Sequence, residues 1–534
     1  MGFLPLLSGV FLYIPLLFLS LSIFFVVRSR RRSLNFLRGP PNTSVLLGTE
    51  YDLTQQFEIK AGLMFQWLRE YGEVFRAKTV FNEDMIVVAD SKALQHIFHK
   101  SSYRYPKSTD STYASTKIFG PGVATVQAPV HQRQRKILNP AFSQAQIKPF
   151  VGIFQKVTMS LINQWREQLA SGIEVIDATK YFSNLTLDAL GETVFDYDFG
   201  ALESKNNQLA YMVRNLFVDS VRPTKVRYLW NRIRSHFLPK AIEKSLSKLY
   251  VTKEDARWKA WLQASQSEAK KLYKNKLQGQ TSEENDILGV ISRSLESQDP
   301  EKRMDAQEAL SQMATIILAG HETSGNTLTW LFYELSRNPD DQRRLFREIQ
   351  EAREHKGELT ASDYDAMPFL NAVIKETLRL HPIVLRLIRE AEDDDVIPLA
   401  QPVVSTSGEM LTEIPVTKGQ RVMVSIIGYN YSKAVWGEDA EEWNPARHLD
   451  AKRTTTLGVF GNLMSFSAGV RSCIGWRFAV HEMQTVTAML VESFEFSIDP
   501  SLDIMMVDAG FVAPMVRDRL KEGFQLPLKL KIRE

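Results

Sequence analysis

The chain has a single cysteine, Cys473, in 534 residues, so no internal disulfide can form and the fold needs no oxidising compartment. It also lacks any excess of charge of one sign. Against 65 Lys and Arg stand 62 Asp and Glu, a net +3, which leaves no whole-molecule field that would select nucleic acid as a partner. Complete nucleotide and zinc motifs are missing as well. Gly120 and Gly122 begin a Gly-x-Gly-x-x-Gly pattern that Thr125 ends, no P-loop occurs, and His321-Glu322 and His481-Glu482 lack the second histidine of a zinc helix. NAD, FAD and nucleoside triphosphates therefore have no recognisable site of their own. With 44% apolar and 24% charged residues and no internal repeat, disorder and fibrous architectures are excluded.

What is abundant first is hydrocarbon. Gly2 to Val27 carries no charge and is dominated by Leu, Ile, Phe and Val, long enough as a helix of about 1.5 Å rise per residue to cross about 30 Å of lipid. It ends on Arg28, Arg30, Arg31 and Arg32 rather than on a small-residue cleavage site. This predicts an uncleaved transmembrane anchor over 1–27 with the basic side, and hence the rest of the chain, in the cytosol. A basic, proline-rich hinge follows over 28–42, including Arg38-Gly39-Pro40-Pro41. Three Asn-x-Ser/Thr sequons, at Asn42, Asn184 and Asn430, should be bare in that orientation.

From 43 to 534 the body reads as one continuous unit, mainly α with minor β. Apolar positions recur at helical spacing over 150–169, 305–337, 342–354, 368–380 and 477–493, and shorter alternating stretches over 74–88 and 421–427 suit strands. A mixed basic and aromatic stretch, 215–248, reads equally well as a membrane-dipping surface or as ordinary packed helix.

The thiol lies in Phe466-Ser-Ala-Gly469-Val-Arg471-Ser-Cys473-Ile-Gly475, ahead of a helical stretch near Arg477. Two glycines let backbone N–H groups approach the sulfur. Zinc would need further Cys or His close by, and a cysteine nucleophile would need a better-placed base than His481. A thiolate without a protein co-ligand suits heme iron, whose porphyrin supplies the other nitrogens; a buried inert cysteine is the blander alternative for an isolated Cys.

This segment matches every fixed position of F-x-x-G-x-R-x-C-x-G and resembles the heme-binding signature of the cytochrome P450 family, with Ala479 and Glu482 continuing the similar pattern. The resemblance extends over the whole body, and implies a single large cytochrome P450 fold preceded by an N-terminal transmembrane helix. It also implies heme b (iron protoporphyrin IX) with Cys473 as axial thiolate. Ala319-Gly320-His321-Glu322-Thr323 looks like the family's oxygen-activation element, which gives Thr323 and Glu322 the delivery of protons and Gly320 the room above the iron. As a bare helix glycine, Gly320 reads more simply as a packing contact. His131 and Arg135, at i and i+4, resemble the W-x-x-x-R helix, with His131 where Trp is usual. They join Arg471 and Arg389 as expected partners of the heme propionates, although spacing alone does not choose between Arg389 and Arg386. Glu376-x-x-Arg379 with Pro445-Ala446-Arg447 resembles the structural Glu-Arg-Arg cluster, departing from the common form at Ala446 and His448.

The resemblance further implies a monooxygenase of the endoplasmic reticulum membrane. It would take electrons from NADPH-cytochrome P450 reductase, with cytochrome b5 as an optional donor, and oxidise a lipophilic small molecule such as a terpenoid or other secondary metabolite. Arg133, Lys136 and Arg477 are the basic residues expected to attract the reductase, and residues 103–127 and the vicinity of Phe217 are expected to line the pocket. An isomerase or dehydratase of the same fold, or a heme carrier or sensor, are the competing readings; the Glu322-Thr323 element argues against both.

Overall fold

The computed structural model describes residues 31–56, 58–203, 211–213, 216–217, 222–277, 287–449 and 457–533. The anchor expected over 1–27 and the first basic residues, Arg28 and Arg30, lie outside them. Among the described residues no helix is long and apolar enough to cross a membrane.

Helices surround one long central helix. Those that build the site are α1 (Val130–Leu138), α2 (Val151–Ala170), α3 (Ala178–Leu190), α4 (Ala306–Arg337), α5 (Pro368–Leu380) and α6 (Trp476–Ser493). Local chemistry sets their ends. α4 opens on a capping box in which Asp305 accepts from Glu308 N–H and the Glu308 side chain returns to Asp305, and it stops where Asn338 precedes Pro339. α5 starts with Pro368 at its first position, where a missing N–H costs nothing. The predicted helical stretches are found within a few residues of their expected limits.

α3 packs along α4. Phe182 stacks on Phe332 with ring centroids 5.1 Å apart, and Thr186 Oγ1 donates to the His321 carbonyl at 2.9 Å. Trp165, fully buried on α2, is met edge-on by Tyr181, Phe182, Phe494 and Phe496. Such ring pairs add about 0.5–1.5 kcal/mol each beyond their burial.

The stretch 74–88 forms two strands, β1 (Val74–Lys78) and β2 (Asp84–Val88), turned by a short helical loop with positive φ at Phe81 and Asn82. With β3 (Arg386–Glu390) and β4 (Arg421–Ser425) they make a sheet in the order β1-β2-β4-β3. β2 runs parallel to β4, pairing Ile86 with Val422, and β3 runs antiparallel to β4, pairing Arg389 with Val422.

The segment expected to act as a hinge is held from Leu34 onward. Leu34 and Leu37 are buried, Leu34 N–H donates to Asp84 Oδ2 at 2.8 Å, and Arg38 O accepts from Arg76 N–H at 2.9 Å. In the described part of 215–248 the packed-helix reading fits Tyr228, Arg232 and Arg234, which are all buried. Arg232 pairs with Glu50 and Asp110, and Arg234 with Asp255 at 2.7 Å. Two of the three sequon asparagines, Asn184 and Asn430, are also buried, whereas Asn42 is exposed.

Candidate heme-thiolate site

A cavity of about 310 Å³ lies between α4 and the cysteine loop. Ala319, Gly320 and Thr323 of α4 form one part of its wall, and Cys473, Gly475 and Phe478 another, with Phe142, Leu378 and Leu387 among the apolar side chains between them. Cys473 is open to this space. Its backbone N–H donates to Phe466 O at 2.8 Å, which closes the loop.

Gly469 is dictated by the backbone: its φ is +64°, and a Cβ there would lie 1.9 Å from Phe98 O. Gly475 differs, since a Cβ would meet only Phe142 at 3.7 Å. What Gly475 contributes is its N–H, which favours the thiolate. Burial nevertheless pushes the Cys473 thiol up, against that N–H and the Arg135 charge. The free sulfur is held as a thiol, so binding a metal would release its proton.

Five basic groups gather at one edge of the cavity. Arg471 lines the cavity, donating to Val126 O at 3.0 Å and Gln127 Oε1 at 2.7 Å. Arg135 donates to the Ser472 carbonyl at 2.5 Å. Arg389 is 4% exposed and lies over the Phe98 ring. His131, buried, shares a hydrogen bond of 2.9 Å between its Nδ1 and Tyr103 OH. Burial, then the Arg471, Arg135 and Lys107 charges, hold His131 down to about 3, so it is neutral. The fifth group, Lys107, follows from no sequence motif. It is brought beside Arg389 by a β-bridge between the two residues, and burial with the Arg389 and Arg471 charges lowers its ammonium to about 7. Among the described residues none of the five has a carboxylate partner. Arg386, by contrast, pairs with Asp508 at 2.9 Å.

Arg389 is buried and Arg135, Arg471 and Lys107 are half-buried, and positive groups gathered out of water without anions are unfavourable unless an anionic guest joins them. An apolar cavity with a thiol on its wall and an unmatched basic edge therefore fits heme, whose flat faces are apolar and whose two propionates are not.

Thr323 reaches the cavity wall, and its Oγ1 donates to Ala319 O at 2.7 Å, leaving its lone pairs for a guest. Glu322 is placed differently from its neighbour. Its Oε1 accepts from Ser183 Oγ at 2.8 Å and its Oε2 from Asn326 Nδ2 at 3.0 Å, so its carboxylate faces α3 and does not line the cavity. Gly320 shows the packing role: a Cβ would meet Leu190 Cδ1 of α3 at 2.7 Å, although both residues also border the cavity. Phe217 packs on Phe511 and is not a lining residue. From 103–127 Val123 reaches the wall, whereas Tyr103 and Gln127 hold His131 and Arg471. Arg133 is bound to Glu308 at 2.5 Å, which removes it from any basic docking surface; Lys136 is exposed.

A heme-binding fold closed by a single thiolate is the class that this cavity and loop define. The protein-family model for Cytochrome P450 matches residues 39–521. Cytochrome P450 monooxygenase 128 of Postia placenta is 33% identical over 93% of this chain and 92% of its own length. Cytochrome P450 monooxygenase claQ of Ampulloclitocybe clavipes is 30% identical over 94% of each, and Ganoderic acid synthetase CYP5150L8 of Ganoderma lucidum is 31% identical over 93% and 94%. The chain belongs to the cytochrome P450 family. It is accordingly a monooxygenase of the heme-thiolate class, which carries heme b with a cysteine as axial ligand, and Cys473 is the only cysteine it has.

Proposed function

We propose that this chain is a membrane-attached monooxygenase that receives electrons from NADPH-cytochrome P450 reductase, with cytochrome b5 as a second donor, and oxidises a neutral lipophilic metabolite, most simply a terpenoid. The single observation behind the substrate class is the wall around Thr323, built from Val123, Ile316, Ala319, Ile383 and Leu387. Such a surface rewards burial of hydrocarbon by about 25 cal/mol per Å² and offers nothing to balance a charge. The Ganoderma relative is named as a ganoderic acid synthetase, which supports a role in secondary metabolism.

When bound, heme supplies the dioxygen chemistry, for which the cysteine thiolate is the electron-rich ligand. The protein's part is positional. Cys473 would hold the iron from a loop fixed by Gly469, and Arg135, Arg389, Arg471, His131 and Lys107 would hold the propionates. Thr323, already back-bonded to Ala319, would accept a water in the cavity and fix where its proton points. Apolar side chains around it keep other water out. Electrons would enter on the cysteine side, where a surface depression is lined by Arg135, Asn139, Trp476 and Arg477; the exposed Lys136 beside it can attract an acidic partner. An anchor at 1–27 would place this body on the cytosolic face of the endoplasmic reticulum, beside the reductase and next to lipid-dissolved substrate.

The test is to incubate microsomes holding this protein and the reductase with lipophilic extracts and NADPH. Products heavier by one oxygen, made only with NADPH and lost in Cys473→Ala, are expected. Oxygenated products formed equally without the reductase would overturn the proposed electron source.

A further inference from the structure

Two glutamines are buried between the helix that carries His131 and Arg135 and the helix that carries Thr323. Gln134 of α1 and Gln312 of α4 are both without solvent exposure. Gln312 Oε1 accepts the Val123 N–H at 2.9 Å, and Gln312 Nε2 donates to Gln134 Oε1 at 2.9 Å. Gln134 Nε2 then donates to Pro121 O at 3.1 Å and to Glu308 Oε1 at 3.0 Å. The direction of every bond is forced. This bridge of amides starts on a backbone N–H, which can only donate, and ends on a carbonyl and a carboxylate, which accept; turning either amide over would set like against like on both of its sides.

What the bridge holds is the loop 120–125. Thr125 closes the loop on itself, its Oγ1 donating to Gly120 O at 2.7 Å. The loop lies against α4 so closely that a Cβ on Gly122 would meet Thr315 Oγ1 at 3.0 Å and Ser311 O at 3.1 Å. Val123 is the residue of this loop that reaches the cavity wall, which it shares with Thr315 and Ile316. Thr315 precedes Thr323 by eight residues, so Val123 stands about 12 Å along α4 from Thr323. A buried backbone N–H without an acceptor is costly, and the loop therefore stays where Gln312 holds it.

We infer that Gln312, with Gln134 behind it, is a positioning residue for substrate shape: it pins Val123 as an end stop, so that the cavity takes a compact lipophilic ring system between Val123 and Thr323 and turns away an elongated one. Neither glutamine lines the cavity; both act through the Val123 amide. The inference rests on the lipophilic-substrate reading.

The test uses the holoenzyme and three azoles of increasing length that bind heme iron through an imidazole nitrogen: imidazole, 1-phenylimidazole and 1-(biphenyl-4-yl)imidazole. Dissociation constants are read from the shift of the heme absorption band, with no turnover involved. The native protein is expected to bind the phenyl compound more tightly than imidazole, and the biphenyl compound about 10-fold more weakly than the phenyl one. Val123→Ala should recover most of that loss. Gln312→Met, which keeps the length of the side chain and loses both bonds, should recover it too, with imidazole affinity unchanged in either variant. Combined with Val123→Ala, Gln312→Met should add nothing further, because it acts through that side chain. If Gln312→Met does not retain heme, Gln134→Met, one bond further from the loop, carries the comparison with a smaller gain. Biphenyl binding left at the native value by the glutamine variant, gains that add in the double variant, or a native protein that admits the biphenyl compound as readily as the phenyl one overturns the inference and leaves the lipophilic-substrate reading intact. A phenyl compound bound no more tightly than imidazole overturns that reading and the inference with it.

Discussion

His448 Nε2 lies 2.9 Å from Glu376 Oε2, at a position where the common family pattern has Phe. Glu376 is fully buried. Arg379 grips it with two bonds of 2.8 Å, Arg447 Nε reaches Oε1 at 2.9 Å, and Asn444 N–H donates to the same oxygen at 2.9 Å. The departure at 448 adds a partner to the cluster instead of weakening it. Arg379 also binds the carbonyls of Asn430 and Glu442 at 2.8 and 3.0 Å, so the knot ties α5 to the loops that precede the cysteine.

Removing the acid from that knot should be severe. Glu376→Ala leaves the buried Arg379 without its anion, a loss of about 3–5 kcal/mol, while Arg447 keeps Asp439 at 2.8 Å; His448→Phe removes one bond of several and should cost about 1–3 kcal/mol. Thermal unfolding and the fraction of purified protein holding heme check both. Burial raises Glu376, but hydrogen bonds from Arg379 and His448 with their charges outweigh it and hold it at about 2. Its folded value is below the unfolded one, so its stabilisation is present above the ordinary value of 4.5 and is lost as pH falls toward 2.

The two arginines of β3 should separate cleanly. Arg389→Leu removes a buried cation with no carboxylate partner among the described residues, and Arg386→Leu removes one already paired with Asp508. Loss of a charge-assisted bond of about 1.5–3 kcal/mol should speed heme loss from the first variant about 10- to 100-fold. The second should release heme at the native rate. Transfer of heme to a scavenging apoprotein measures both.

Gly320→Ala should act through Leu190. A methyl group placed 2.7 Å from Leu190 Cδ1 forces that side chain to move, at about 1–3 kcal/mol. Paired with Leu190→Val, the combined loss should be smaller than the sum of the two single losses. Strict additivity in denaturant unfolding would show that the methyl meets something else.

Glu482, fully buried on α6, gives the opposite pH signature to Glu376. Its folded value, about 8, lies above the ordinary 4.5, so between those values the folded protein binds more protons than the unfolded one and stability falls as pH rises. Glu482→Gln should flatten that decline, gaining on the order of 5 kcal/mol over the native chain on the alkaline side. Unfolding free energies at several pH values would reveal it.

The helices and strands were largely legible because each shows its period in a short window: 368–380 reads as helix from its apolar stripe and opens at a proline. Cys473 was legible for the same local reason, since its loop needs glycines at fixed offsets. Facing partners were not. The period of α4 puts Thr323 and Glu322 side by side, yet only the placement of α3 shows that Ser183 takes the Glu322 carboxylate. Arg133 reads in the sequence as a docking residue for the reductase, yet Glu308 pairs with it, and Lys107 gains its place from a bridge to Arg389, 282 residues away in the chain. Glu482 carried a familiar spacing but no hint that its oxygens would be unmatched among the described residues.

The closed sequons have a bearing on biosynthesis. A sugar attached to Asn184 or Asn430 while the chain was still extended would have nowhere to go once α3 and α5 settle around those side chains. A nascent body threaded through a membrane to a glycosylating compartment would thus be barred from completing its core, so under the proposed anchoring the orientation at insertion would be a condition of folding.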